Sequence, residues 1–439
     1  MAFRFLIYNF TMLLQTIKKD FIQYKAQAEP GNFLTLREAA FAEFEKLGFP
    51  TTKQEEWKYT SLKSITDNTF QSTCEIKSLV NDLFYASIES KLTANFLVFV
   101  NGSLVNELSK IIEKDNSIVI SSIATARKNN QAIFNHHFGK YAMVEGLAMN
   151  ALNTALLSDG AFVFVPKGKT VEHPVVIFNI SDASDLNVLA QPRNLIVAEE
   201  QSTLTIVETY YATGTNASFT NVVTETYAGK GAHVEHYKIQ QQAGACYQNN
   251  FTQFFQEADT NINHVTLTLD GTLVRNNLHF YMNGENCNSL LYGLYVTDNK
   301  DLVDNHTRVD HAKPNCFSDE KYKGILKGHS TAVFNGKIMV HLDAQKTNAY
   351  QRNQNILLSD DATVNTKPQL EIFADDVKCT HGATVGELDE ESMFYLRSRG
   401  IPEDVARKLL LTAYAVDIAE KIKIPELVEL LEQKIDGKL

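Results

Sequence analysis

The residues with the most chemical reach stand together near the C-terminal end, in Ala374-Asp375-Asp376-Val377-Lys378-Cys379-Thr380-His381-Gly382. If residues 377–381 are extended, Cys379 and His381 lie two positions apart and point to one face. A thiolate beside an imidazole is a donor pair for a soft or borderline metal such as iron or zinc. A Cys–His nucleophile, with Asp375 or Asp376 orienting the imidazole, is a second chemistry for the same residues. No oxyanion-hole signature accompanies it, so ligation ranks ahead of the nucleophile, although the cysteine of an isolated Cys-x-His is more often a buried small hydrophobe. His233 with His236, or His306 with His311, are further ligand candidates, although histidines on strands are more often packing or surface groups. His136 and His137 would face opposite ways on an extended chain. Asp301, Asp304 and Asp310 sketch the carboxylate row that a β-helical carbohydrate-active enzyme needs. Neither Gly-x-Gly-x-x-Gly nor the P-loop pattern occurs, so ATP is not bound through those motifs.

The five cysteines (Cys74, Cys246, Cys287, Cys316, Cys379) are scattered, and the nearest two, Cys287 and Cys316, are 316 − 287 = 29 residues apart. That spacing excludes a Cys-x-x-Cys zinc or redox motif and suits a reducing cytoplasm better than a disulfide framework. The formal charge is −11 over 439 residues, with a pI near 5.6. A global basic field for nucleic acid is thereby excluded. The opening run, Met1 to Leu14, is apolar, but it carries only Arg4 as a cation and meets Lys18 and Lys19 where a cleavage site would stand. Met12 is the expected native start. No later stretch is long and apolar enough for a membrane span, so a soluble cytoplasmic protein is expected.

Three zones must position these groups. Residues 1–95 read as helical: Thr35 with Glu38 forms a capping box, Leu36, Ala40, Phe44 and Leu47 recur at helical spacing, and Gly48-Phe49-Pro50 ends the run. The motif Gln54-Glu55-Glu56-Trp57-Lys58-Tyr59-Thr60 follows, with Trp57 as a packing anchor. Residues 96–375 change to period 2. In His264 to Asp270, alternation puts Val265, Leu267 and Leu269 on one face. Some helix is expected within 120–158, where Leu147, Ala151 and Ala155 repeat every four. So many short strands exceed one sandwich and fit the stacked coils of a β-solenoid. Asn261, Asn263, Asn276, Asn277, Asn283, Asn286 and Asn288 would suit its corners, since Asn tolerates the left-handed conformation. Residues 376–439 turn helical again. Asp389, Glu390 and Glu391 lie in a first turn, Gly400 follows a helix end, and Pro402 and Pro425 open new helices. Val405, Leu409 and Val416 form one apolar stripe, and Leu427, Leu430, Leu431 and Ile435 another. These helices are expected to cap the open end of the solenoid.

The run from Ala374 to Ile401 closely resembles the C-terminal signature of the SufD branch of the SufB/SufD family, which serves SUF iron–sulfur cluster assembly. Phe334-Asn335-Gly336-Lys337-Ile338 resembles the family's F-x-G-x-I strand. Ala344-Gln345-Lys346-Thr347 with Gln351, Asn353, Asn355, Leu357 and Leu358 resembles its AQ-x-T…Q-x-N-x-N-LL segment. Gly48 to Thr51 and Glu55 to Thr60 are similar to its N-terminal signature. SufB-type chains carry a cysteine-rich N-terminal motif, which is missing here. The resemblance implies a mainly β fold, a right-handed parallel β-helix between helical regions. It implies a non-catalytic scaffold that pairs with SufB and docks the ATPase SufC through the 402–424 region, including Val405, Leu409 and Val416. It also implies transient iron or Fe–S ligation by His381 and Cys379 at the partner interface, with no permanently bound cofactor. When isolated, the free edge could pair with a second copy.

Overall fold

A computed structural model describes residues 2–28, 31–72 and 83–439, so Cys74 lies outside the described residues. Two ten-stranded sheets face each other, and their strands alternate along the chain as in a coiled ribbon. The first sheet runs from Asn95–Val100 to Lys378–Gly386, and the second ends at Thr363–Ile372. Successive strands of a sheet are parallel and in register. One coil takes 27 residues from Asn261 to Asn288 and 31 from Phe317 to Asn348. The chain is therefore mainly β, a parallel solenoid with helices at both termini. At the N-terminal end short antiparallel strands, Ser103–Leu104 and Val119–Ser122, occupy one edge of each sheet.

The period-2 reading holds, and Val265, Leu267 and Leu269 do share one face. Val265, Leu267 and Leu269 point outward, while His264 and Thr266 are buried on the inner side with Lys238 and Gln240. An apolar interior survives nearer the corners: Leu97, Ile177, Ile206, Val234 and Ile262 meet Phe254, Phe280, Val309 and Ile338. Between them runs a ladder of amides. Gln240 donates to Gln248 and Asn276 at 3.0 Å each, and Asn276 donates to Asn305 at 3.0 Å. Stacked amides satisfy one another coil by coil, so a polar interior carries little desolvation cost. Of the seven asparagines expected at corners, Asn286 alone has a positive φ, 59°. Asn276 is a rung of the ladder, and Asn261, Asn263, Asn277 and Asn288 also sit within strands. Arg193 and Glu225 form a fully buried ion pair, Nη2 to Oε1 2.6 Å. Glu225 also accepts from the backbone N–H groups of Gly139, Tyr141 and Ala142, fastening that loop to the sheet.

Helices Ala2–Gln27 and Asn32–Leu47 cover the outer face of the second sheet together with Ala148–Leu156. Phe21, Phe41 and Phe44 pack there with Phe219, Tyr247 and Leu273. The expected capping box is displaced: the helix begins at Asn32, and Thr35 bonds Gly31 O from inside the first turn. Helices Ile123–Asn129, Gln131–His137 and Ala148–Leu156 supply the helix expected within 120–158.

The C-terminal helices Glu390–Ser398, Glu403–Ala419 and Pro425–Asp436 do not cap the solenoid. Glu403–Ala419 and Pro425–Asp436 lie along the flank of the first sheet, with Leu411, Ala415, Ile418, Leu427 and Leu431 on Tyr237, Val265, Leu267, Tyr292 and Leu294. The outward apolar row of the strands supplies that bed, and a solenoid end offers nothing of comparable area. Asp417 adds ion pairs to Lys321 at 2.5 Å and Lys323 at 2.6 Å, and the Tyr414 hydroxyl donates to Gln354 O at 2.8 Å. Among the described residues no helix is long and apolar enough to cross a membrane.

Candidate functional site: the open mouth of the solenoid

Because the helices lie on the flank, the last coil is left uncovered. Cys379 pairs in register with Ala349 and His381 with Gln351. Ala349 and Gln351 are fully buried inward positions, so Cys379 and His381 occupy the inner face of a coil that no further coil closes. Two residues of strand separate them by about 6.6 Å along the chain. Cys379 is half-buried against the end of the interior core, and His381 is exposed. Burial pushes the Cys379 thiol up, above its ordinary value. Ligation would therefore release a proton from sulfur, with the metal supplying the compensating charge. Thr366, Pro368 and Leu370 stand at the equivalent inward positions of Thr363–Ile372, across the mouth.

Beneath His381 the column continues into the sealed coils. Gln351 donates to Glu320 Oε2 at 2.8 Å, and both side chains are fully buried. Burial raises the Glu320 carboxyl to about 7, so it is largely protonated in mildly acidic solution. Among the described residues both last strands have one sheet neighbour only. Each therefore presents an unpaired backbone edge, the usual template for strand addition by another chain. Large apolar side chains gather at this end: Leu342 is 67% exposed and Phe373 60%, with Ile372 and Val385 also open. Among the described residues no three His, Cys, Asp or Glu side chains converge to hold an ion. Cys379 and His381 offer two donors, so further ligands must come from elsewhere.

The other sequence candidates fall differently. Asp375 and Asp376 are exposed, and among the described residues neither bonds His381, so no Cys–His–Asp relay exists. His236 and His264 meet inside the solenoid, Nδ1 to Nδ1 2.9 Å, with Glu208 3.0 Å from His236 Nε2. Desolvation keeps both imidazoles below their ordinary value. His311 is buried against the Ser318 hydroxyl at 2.9 Å, and His137 against the Tyr141 hydroxyl at 2.6 Å. His233 is exposed. Asp304 is locked by Arg275, Thr60 and His306, and Asp310 by Arg308 at 2.6 Å. Although burial opposes it, Arg275 and His306 hold the Asp304 carboxyl down to about 2. Those two carboxylates are thus committed to ion pairs and form no free row for glycoside chemistry. Trp57 is indeed an anchor, with the Arg275 guanidinium 4.0 Å above its ring.

On the flank helices Val405 (44%) and Leu409 (50%) are exposed, and Val416 is half-buried. Sequence reasoning missed their neighbours Phe394 (74%) and Tyr395 (56%). Two adjacent aromatics in the short helix 390–398, whose apolar residues have no buried face, were the available signal.

Known proteins resemble this chain along most of its length. Residues 14–177 match the family described as SufBD protein N-terminal region, and residues 178–414 match the SUF system FeS cluster assembly, SufBD core domain. An iron-sulfur cluster assembly SufBD family protein of Synechocystis is 30% identical over 434 residues, covering 95% of this chain and 94% of its own. The iron-sulfur cluster assembly protein SufD of Escherichia coli is 30% identical over 405 residues, 90% of each chain. The SufD of Bacillus subtilis is 28% identical over 432 residues, covering 93% of this chain and 95% of its own.

Proposed function

The chain belongs to the SufBD family of iron–sulfur cluster assembly proteins, and from that premise we propose that it is a non-catalytic scaffold on which a nascent cluster is built at an interface with SufB. The observation that carries this reading is the uncovered last coil, with Cys379 and His381 at inward positions of a strand whose outer edge is unpaired. A second solenoid adding to that edge would close the mouth and bring its own ligands to the two donors. Iron and sulfide are cargo in this scheme. His381 is the stronger ligand, because it is exposed to an incoming metal, whereas Cys379 must release a thiol proton from a half-buried position. Cys379 is the second. Without SufB, the same edges and exposed apolar residues favour pairing with another copy of this chain.

The flank helices form the second half of the scaffold. Val405 and Leu409, one helical turn apart, are exposed apolar side chains suited to docking SufC, and Phe394 and Tyr395 are exposed on the preceding helix. ATP binding by SufC would then act on the mouth through these helices.

His381→Ala is expected to leave the complex with SufB and SufC assembled but lower the iron and sulfide bound on anaerobic reconstitution. Undiminished cluster content would remove His381 as a ligand. Val405→Asp with Leu409→Asp is expected to release SufC in pull-downs while SufB stays bound, and normal SufC stoichiometry would displace the docking surface.

A further inference from the structure

Several coils of the solenoid repeat one corner device. Just before a strand of the first sheet, a hydroxyl turns back to the carbonyl three residues earlier. Ser202 donates to Glu199 O at 2.7 Å, Thr260 to Glu257 O at 3.0 Å and Thr347 to Ala344 O at 2.8 Å. Strand register puts Cys287 and Cys316 at this same corner, on the two coils between Thr260 and Thr347. Their separation of 29 residues is thus one full coil. A thiol is a weaker donor than a hydroxyl, so corner bonding alone does not call for two cysteines.

Cys287 follows the pattern, with its Sγ 3.2 Å from Gly284 O. Cys316 does not: its Sγ turns to the neighbouring coil and reaches the same Gly284 O at 3.4 Å. Two sulfurs therefore converge on one carbonyl oxygen. The backbones also meet there, with Phe317 N–H donating to Cys287 O at 2.8 Å. Neighbouring strands run about 4.8 Å apart, inside the roughly 4.4–6.8 Å between Cα atoms that a disulfide spans. Each cysteine is 1% exposed, yet each directly follows an exposed corner asparagine, Asn286 or Asn315. The Cys316 thiol beside it draws Cys287 below its ordinary value, and the same contact, with burial, raises Cys316. Such asymmetry suits an attacking thiol and a resolving one.

We propose that Cys287 and Cys316 are a redox modification site, closing to a reversible disulfide that staples two adjacent coils. The oxidant is a small peroxide. The Cys287 thiolate attacks one peroxide oxygen, the O–O bond breaks, and the departing hydroxide takes the proton that Cys287 released, leaving as water. Cys287 is then a sulfenic acid. The Cys316 sulfur attacks the Cys287 sulfur, the S–O bond breaks, and the hydroxide leaves with the Cys316 proton as a second water. Two electrons pass from the thiols to the peroxide, and thiol–disulfide exchange with a dithiol reverses the change. This site is separate from the mouth and does not depend on cluster assembly.

The test uses the full chain, reduced, freed of reductant and treated with hydrogen peroxide. It is then alkylated with iodoacetamide in urea and digested without reduction. Mass spectrometry is expected to find a peptide linking Cys287 to Cys316, lighter than its two halves by two hydrogen atoms and split by dithiothreitol. Cys287→Ser and Cys316→Ser keep a hydroxyl at the corner, as Thr260 and Thr347 do, and are expected to fold without giving the linked peptide. In Cys316→Ser, peroxide is expected to leave added oxygen on Cys287, which has no thiol to resolve it. Cys316 in Cys287→Ser should stay unmodified. The proposal is overturned if both wild-type cysteines remain fully alkylated after peroxide, if either is linked to a different cysteine, or if Cys316 takes up oxygen as readily as Cys287. Should a variant fail to fold, the wild-type linkage decides by itself.

Discussion

Gln351 and His381 occupy the same inward column one coil apart, yet they live in different worlds. Gln351 is sealed and hydrogen-bonded to Glu320, with a coil above it and a coil below. His381 has a coil on one side and solvent on the other. The same contrast separates Ala349 from Cys379. Reactivity here arises where a repeat stops. Inside the solenoid polar groups are spent on one another, whereas in the last coil the same positions keep free lone pairs.

The largest expected break in that comparison lies in the sealed part. Arg193→Leu leaves the Glu225 carboxylate buried without its cation and is expected to cost about 3–5 kcal/mol. Urea unfolding would register it as a large fall in midpoint; a shift under about 1 kcal/mol would mean the interior is wetter than its burial implies. Next in size is Glu320→Gln. A carboxyl raised to about 7 in the folded chain is unpenalised while the unfolded carboxyl is also protonated. Stability then declines as pH rises from the ordinary carboxylate value through about 7. The loss by pH 8 is on the order of 3 kcal/mol. The amide keeps the bond to Gln351 and removes the titration, so the variant should gain stability at pH 8 and little at pH 4. Equal midpoints for both proteins at pH 8 would contradict this. The smallest effect belongs to the mouth. His381→Ala is expected to move stability by less than about 0.5 kcal/mol, because an exposed side chain without partners leaves no cavity. A loss above about 1 kcal/mol would show that the last coil is held by this residue.

Much of this was readable beforehand, within limits set by the physics. Alternation in His264 to Asp270 identified a strand but not its inner side. Both sides are buried, one inside the solenoid and the other under the flank helices, so alternation alone leaves the inner side open. Asparagine composition was noticed and misplaced: Asn276 serves amide stacking, which needs knowledge of which coil lies above which. Cys379 and His381 were legible from two-residue spacing and from the resemblance of their surroundings. That they stand at an uncovered end was not legible, because the helices that follow them carry enough apolar surface to cover either the end or the flank. The choice depends on the outward row from Tyr237 to Leu294, which lies far upstream of those helices in the chain.

Only Glu387, Leu388 and Asp389 stand between the end of strand Lys378–Gly386 and the first C-terminal helix, Glu390–Ser398. The strand carrying His381 is held to its sheet along one side alone. Tension applied at its end loads the ladder rung by rung, beginning near Val385 and reaching His381 and Cys379 last. A donor pair mounted this way sits at the far end of a zip fastener whose slider is that helix. Small tugs on that helix loosen the rim of the mouth, and only a long pull disturbs the two donors.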